Sequence, residues 1–202
     1  MICISRSTGA EGEAVGRAVA QRLGFRYVDD EVIGKAAESS GLDPELVADA
    51  ERRKSLVHRI LVVMGEQSPE ALALLPDPDS TGRLPTDADL RGLIVEVLRS
   101  LADEGSVVIV AHAASFALAE RDVLRVLVTA SDATRAERVA TTKGIDTSAA
   151  AKMIKRDDDE RADYIKRFYK IDRELPTHFD LIINTDVLTP ERAADVVLSA
   201  AG

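Results

Sequence analysis

The sequence predicts an α/β fold in three layers, a five-stranded parallel sheet flanked by helices. Short apolar runs alternate with stretches of helical period along the chain. The longer runs are continuous rather than alternating, the pattern of strands buried on both faces of a parallel sheet. The first run passes through a glycine-containing turn straight into a helix, as a βα unit opens.

The strand-like runs are residues 2–5, 26–28, 107–111, 124–129 and 181–183. A first helix over 12–23 places Val15, Ala18, Val19 and Leu23 on one face, with Gly24 as its stop. A second helical region starts near Asp30. Asp43 as N-cap and Pro44 behind it open a helix over 43–64. Another, over 87–104, keeps Leu90, Leu93, Ile94, Val97, Leu98 and Leu101 at helical spacing before Gly105. Ser131 or Asp132 caps a helix that ends before Gly144. Thr189 caps the last helix, with Pro190 in its first position and Ala193, Val196, Val197 and Ala200 facing inward. Four of the seven prolines, Pro69, Pro76, Pro78 and Pro85, fall between residues 68 and 89 and predict a long loop.

A chain of 202 residues fits a single domain over 1–202, with a core of its own. Tryptophan is absent and aromatics make up 3%, so the core is aliphatic. A net charge of −9 argues against nonspecific nucleic-acid or anionic-membrane partners, which need a basic surface. The one cysteine, Cys3, lies in an apolar run, where it reads as a small buried hydrophobe. His58, His112 and His178 are far apart and form no metal motif. No apolar run approaches the ~20 residues that span a bilayer, and the start lacks signal-peptide character. A cytoplasmic location is expected.

The segment Ser7-Thr8-Gly9-Ala10-Glu11-Gly12-Glu13-Ala14 joins the first strand to the first helix. A phosphate-binding loop belongs at that place. Glycines let main-chain N–H groups turn toward an anion, and the helix N-terminus adds partial positive charge. A plain strand-to-helix turn would use the same glycines for geometry alone. Set against the pattern G-x-x-x-x-G-K-[ST], Gly12 fits the last glycine and Ser7 replaces the first. Glu13 stands at the lysine and Ala14 at the magnesium-binding hydroxyl. A carboxylate ~4 Å from a phosphate is repelled by ~1 kcal/mol in water, and by more in a dry site. Pairing of Glu13 with Arg17 would blunt that repulsion, and Arg6 is the cation nearest to taking the lysine's role.

Four stretches in order carry a resemblance: ICISRSTGAEGEAVGRAVAQRLGFRYVDDEVI, LADEGSVVIVAHAASFAL, RDDDERADYIKRFYKID and HFDLIINTDVLTPERA. Together they resemble the cytidylate kinase-like family, a divergent branch of the P-loop nucleoside monophosphate kinases. The resemblance covers nearly the whole chain except the Pro-rich loop. It implies a P-loop kinase fold with a helical lid over about 148–173. It also implies transfer of the ATP γ-phosphoryl group to a nucleoside monophosphate, with ATP and Mg2+ as cofactors. Arg156 and Arg161 match lid arginines that stabilise the transferring group, with Arg6 beside them as a catalytic candidate. Arg135 and Arg138 match basic positions on the preceding helix. Asn184 and Thr185 match the loop beside the donor base, and Asp29 the acid near the acceptor. Thr8 or Ser7 is the substitute offered for the missing metal hydroxyl. A Gly-Arg-Gly type turn after the third strand reads Ala111-His112-Ala113 here, leaving His112 as the acceptor-phosphate candidate or as a satisfied strand-end histidine.

From Lys152 to Arg173 there are eight basic residues and six acids, net +2 within a chain of −9. No apolar residue occurs between Ile154 and Ala162, which marks a lid face or a solvated helix with Asp157 and Asp158 paired to Arg161. Tyr164, Phe168 and Tyr169 read as packing residues. The functional alternatives are an active kinase and a catalytically inactive nucleotide-binding or dimeric scaffold that keeps the fold. A phosphotransferase for a non-nucleotide acceptor is a third. A small-molecule nucleotide is the expected partner. A homodimer would use the apolar helices around Leu56 to Met64 and Leu90 to Leu101.

Overall fold

The structure, a computed structural model, describes residues 1–29, 103, 105–111 and 114–202. Nearly all of these belong to one compact unit, Met1–Val28 with Ala102–Gly202, whose architecture follows. The expected helical region from Asp30, the helix over 43–64, that over 87–104 apart from Asp103, the loop over 68–89 and His112 lie outside the described residues.

Five strands, β1 (Ile2–Arg6), β2 (Arg26–Asp29), β3 (Val107–Val110), β4 (Leu124–Thr129) and β5 (Leu181–Asn184), form one parallel sheet in the order β2-β3-β1-β4-β5. β1 is central, pairing Ile4 with Val110 of β3 and Val126 of β4. Among the described residues the helices are α1 (Gly12–Leu23), the one-turn α2 (Ala114–Ala117), α3 (Asp132–Lys143), α4 (Thr147–Tyr169) and α5 (Pro190–Ala200).

The caps explain where the helices start. Ser131 accepts from the Thr134 amide, Asp146 from that of Ala149, and Thr189 from that of Arg192. The core is aliphatic, as composition requires. On one face of the sheet Ile2, Ile4, Val108, Val110, Val126 and Val128 pack with Val15 and Val19 of α1 and with Ala193, Ala194 and Val197 of α5. Each fully buried valine or isoleucine contributes ~1.5–3 kcal/mol. Cys3 is also buried, and burial pushes its thiol up to about 12, so it stays neutral and acts as a core residue.

Two helix faces differ from the pattern-based assignment. In α5, Ala194 takes the inward place expected of Val196 and Ala200, which are exposed. In α1, Leu23 in the last turn is also exposed, and Gly16 and Ala20 join the buried face. Both shifts move the buried stripe by one residue, within the tolerance of a period near 3.6.

A small satellite core, Ala136, Val139, Ala150 and Ile154, joins α3 to α4. Farther along α4, Ile165 is buried, and Tyr164 meets the rings of Phe168 and Tyr169. Tyr169 in turn meets Phe116. These aromatics are packing residues, as expected.

Candidate functional site

β1 and β4 lie side by side, yet their loops leave in opposite directions, β1 toward β2 and β4 toward β5. Ligands of open parallel sheets bind at such a switch, outside the carboxyl ends of the strands. The turn from Ser7 to Glu11 stands there. The Ser7 amide donates to the Val128 carbonyl at 3.0 Å, and the Ala10 amide closes a turn onto the Ser7 carbonyl at 3.0 Å. Ser7 Oγ lies 3.3 Å from Thr129 Oγ1.

Gly9 has φ +82°, and a Cβ there would stand 2.8 Å from the Arg135 carbonyl oxygen, so only glycine fits. Glu11 is left-handed at φ 63° and ψ 25°, directly before the first helical residue, Gly12. Left- and right-handed residues in succession make neighbouring N–H groups converge into an anion-binding concavity. The first-turn amides of a helix have no intrahelical partner, and Glu11 supplies no side-chain cap. A Cβ on Gly12 would stand 2.5 Å from the Arg6 Cβ, so the helix start is packed tightly against the end of β1.

The acids of the turn point at cations. Glu13 is ion-paired to Arg6, and Glu11 lies 3.3 Å from Arg138 Nη2. Arg17 lies over the Tyr27 ring, 5.4 Å from its centroid.

α3 and α4 bring the other candidates to the turn. Arg135, 5% exposed, donates from Nε to the Thr8 carbonyl at 2.7 Å and forks onto Asp158 at 2.7 and 3.0 Å. Arg161, 9% exposed, donates from Nη1 to the Arg6 carbonyl at 2.6 Å and forks onto Glu174 at 2.6 and 2.8 Å. Thr8 Oγ1 donates to Asp157 at 3.2 Å. Arg161 therefore pairs with Glu174 rather than with Asp157 or Asp158, which are engaged by Thr8, Arg156 and Arg135. The turn of α4 without apolar residues is held against the loop by polar contacts. Arg156 differs from Arg161: its side chain is 59% exposed, beside Asp157 and Glu160.

Behind the turn, Thr185 is fully buried. Its Oγ1 accepts from Arg138 Nη1 at 3.0 Å and directs its proton at the Ala10 carbonyl, 3.0 Å away, or that of Thr129, 3.2 Å away. Asn184 Oδ1 accepts from the Asp186 amide. Asp186 accepts from the Ser131 amide, which holds its carboxyl below the usual aspartate range. Asp29 closes β2 and is buried. A cavity of about 540 Å³ opens elsewhere, lined by Met1, Leu23, Arg121, Arg125 and Asp180 among others, and carries none of the candidate residues.

Sequence reasoning missed Glu174, the role of Asp158 and the link from Thr185 to Ala10. Glu174 follows Arg161 at no helical spacing, and Thr185 lies far from the turn in sequence. No local pattern signals either contact.

The sequence pattern of the cytidylate kinase-like family matches residues 1–187. A cytidylate kinase from Sulfolobus acidocaldarius is 30% identical over 105 residues, which are 52% of this chain and 57% of that protein. The alignment thus spans little more than half of the relative. A protein of unassigned function from Eubacterium ventriosum superposes with a TM-score of 0.67 at 17% identity, over 98% of this chain and 96% of that one. Shikimate kinase from Bacteroides thetaiotaomicron gives a TM-score of 0.51 at 15% identity, over 99% and 96%. At such identities the likeness concerns the fold, which is that of P-loop kinases. Among the described residues no helix is long and apolar enough to cross a membrane.

Proposed function

This chain belongs to the cytidylate kinase-like family, and on that premise we propose that it transfers the γ-phosphoryl group of ATP to a nucleoside monophosphate or a similar small acceptor. One observation carries the reading: the uncapped start of α1, preceded by left-handed Glu11, at the carboxyl ends of β1 and β4. That is where main-chain amides hold a phosphate without help from a lysine.

In this reading the turn from Ser7 to Ala14 cradles the donor phosphates, and Asn184 borders the donor base, with Thr185 buried behind the turn. Asp29, and His112 outside the described residues, are the residues assigned to the acceptor. Arg156 is the catalytic arginine, because of the two arginines that match the lid, Arg156 and Arg161, it is the exposed one. Mg2+ is held through phosphates and few protein groups, and the Thr8 hydroxyl beside the Asp157 carboxylate fits that habit. Bound there, it would neutralise charge on the transferring group. The chain itself binds and orients the phosphates.

A second reading, an inactive nucleotide-binding scaffold, is favoured by one feature. Arg6, Arg135, Arg138, Arg156 and Arg161 each already hold a carboxylate of the protein itself. A coupled assay across CMP, AMP, UMP and dCMP with ATP and Mg2+ separates the two. Turnover that Arg156→Ala lowers by about a hundred-fold without unfolding the protein supports the kinase. ATP binding without turnover on any acceptor supports the scaffold.

A further inference from the structure

Four carbonyls around the turn between β1 and α1 are each met by a side chain from outside it. Arg161 Nη1 donates to that of Arg6 at 2.6 Å, and Arg135 Nε to that of Thr8 at 2.7 Å. Arg138 Nη1 reaches that of Gly9 at 3.4 Å, and Thr185 Oγ1 that of Ala10 at 3.0 Å. The donors come from α3, α4 and the residue after β5. Arg135, Arg161 and Thr185 are at least nine-tenths buried.

In a planar trans peptide the carbonyl of one residue and the N–H of the next point in opposite directions. Holding the Thr8 carbonyl toward α3 therefore aims the Gly9 N–H away from α3. Holding the Ala10 carbonyl toward Thr185 aims the Glu11 N–H away from β5. The pattern tests itself at Arg6: its carbonyl goes to Arg161, and the N–H of the same peptide, that of Ser7, goes to β4.

We propose that Arg135, Arg138, Arg161 and Thr185 are positioning residues, a clamp that holds the turn's carbonyls outward so that its amides hold a phosphate in place of the absent lysine. This rests on the reading of the turn as the phosphate site. It takes Arg135 and Arg161 out of the set of direct phosphate ligands. Their nitrogens are spent on Asp158, Glu174 and the turn itself, in charge-assisted bonds that a phosphate would have to break. It also makes Thr185 a strut rather than a base contact.

Thr185→Val keeps the shape and removes the hydroxyl, whereas Thr185→Ser keeps the hydroxyl. Two measurements on the full chain decide the matter. Without ligand, exchange at the turn's hydrogen-bonded amides, those of Ser7 and Ala10, is expected to quicken about ten-fold in Thr185→Val and to return to within about three-fold of wild type in Thr185→Ser. With inorganic tripolyphosphate, affinity is expected to fall about ten-fold in Thr185→Val and to recover in Thr185→Ser, while adenosine binding stays unchanged. Unchanged exchange in Thr185→Val overturns the clamp, and so does an equal loss of adenosine binding. Should Thr185→Val not fold, Arg138→Gln puts the same question at the Gly9 carbonyl, with the same pair of expected and contrary results. If wild type binds no tripolyphosphate, the kinase reading falls, and the exchange measurement still decides whether the clamp exists.

Discussion

Glu13, in the first turn of α1, is ion-paired to the guanidinium of Arg6 at the end of β1. The carboxylate at the lysine position is thus answered by the cation nearest to it in the fold. An anion approaching the turn meets a pair of low net charge rather than a bare acid. The same holds for Glu11 and Arg138. In the proposed function, the turn trades a lysine's point charge for main-chain amides and neutralised side chains.

Replacing Glu13 by Lys removes the acid and releases Arg6. Affinity for ATP, read by titration calorimetry, should rise about ten-fold, the effect of ~1.4 kcal/mol in charge interaction at a half-exposed site. Affinity that is unchanged or weaker would place Glu13 away from the phosphates.

Arg161→Ala should leave the Glu174 carboxylate without its fork and the Arg6 carbonyl without its donor. A loss of about 2–3 kcal/mol is expected, because Arg161 is buried while Glu174 keeps some solvent. In thermal melts that is a fall of roughly 4–12 °C for a chain of this size. Arg161→Ala with Glu174→Ala should recover part of the loss. Arg156→Ala, on the exposed side of the same helix, should melt within about 1–2 °C of wild type.

Gly9→Ala should distort the turn. The residue would need φ near +82°, and its Cβ would collide with backbone of α3 that cannot swing aside. A cost of about 2 kcal/mol in stability is expected, with a larger proportional loss of ATP binding. A variant that binds ATP as wild type does would show that the turn need not keep this shape.

The sheet was legible because its strands are buried, and burial leaves continuous apolar runs such as Val107-Val108-Ile109-Val110. The helix starts were legible because Ser131 and Thr189 cap through their own side chains. The position of the turn between β1 and α1 followed from strand, glycine and helix in that order. What holds the turn was not legible. The bond from Arg135 to Thr8 spans 127 residues and that from Thr185 to Ala10 spans 175. Ion pairs sought within α4 went astray at Arg161, because a helix-period rule ignores a partner beyond the helix. The inward face of α5 slipped at Val196 because its alanines and valines come in adjacent pairs, Ala193-Ala194 and Val196-Val197, and hydrophobicity alone does not rank the members of a pair.

Asp180 grips Arg125 through both carboxylate oxygens and accepts from the Arg125 amide, joining the start of β4 to the entry of β5. The Arg125 guanidinium hydrogen-bonded to it holds this carboxyl below its ordinary value of 3.8. The pair therefore adds stability above the usual aspartate range and loses it as pH falls through the lowered value. Melting curves should separate wild type from Asp180→Asn at neutral pH and bring them together in acid. Curves that stay equally far apart at every pH would mean that the carboxylate charge has no part in the difference.

The most direct test of the amide cradle is an NMR titration of 15N-labelled protein with ATP and Mg2+, followed residue by residue. Large, saturating shifts at Gly9, Glu11, Gly12 and Glu13, reproduced by tripolyphosphate, are the predicted result. Shifts confined to other parts of the chain, with these four amides unmoved at saturation, would contradict it.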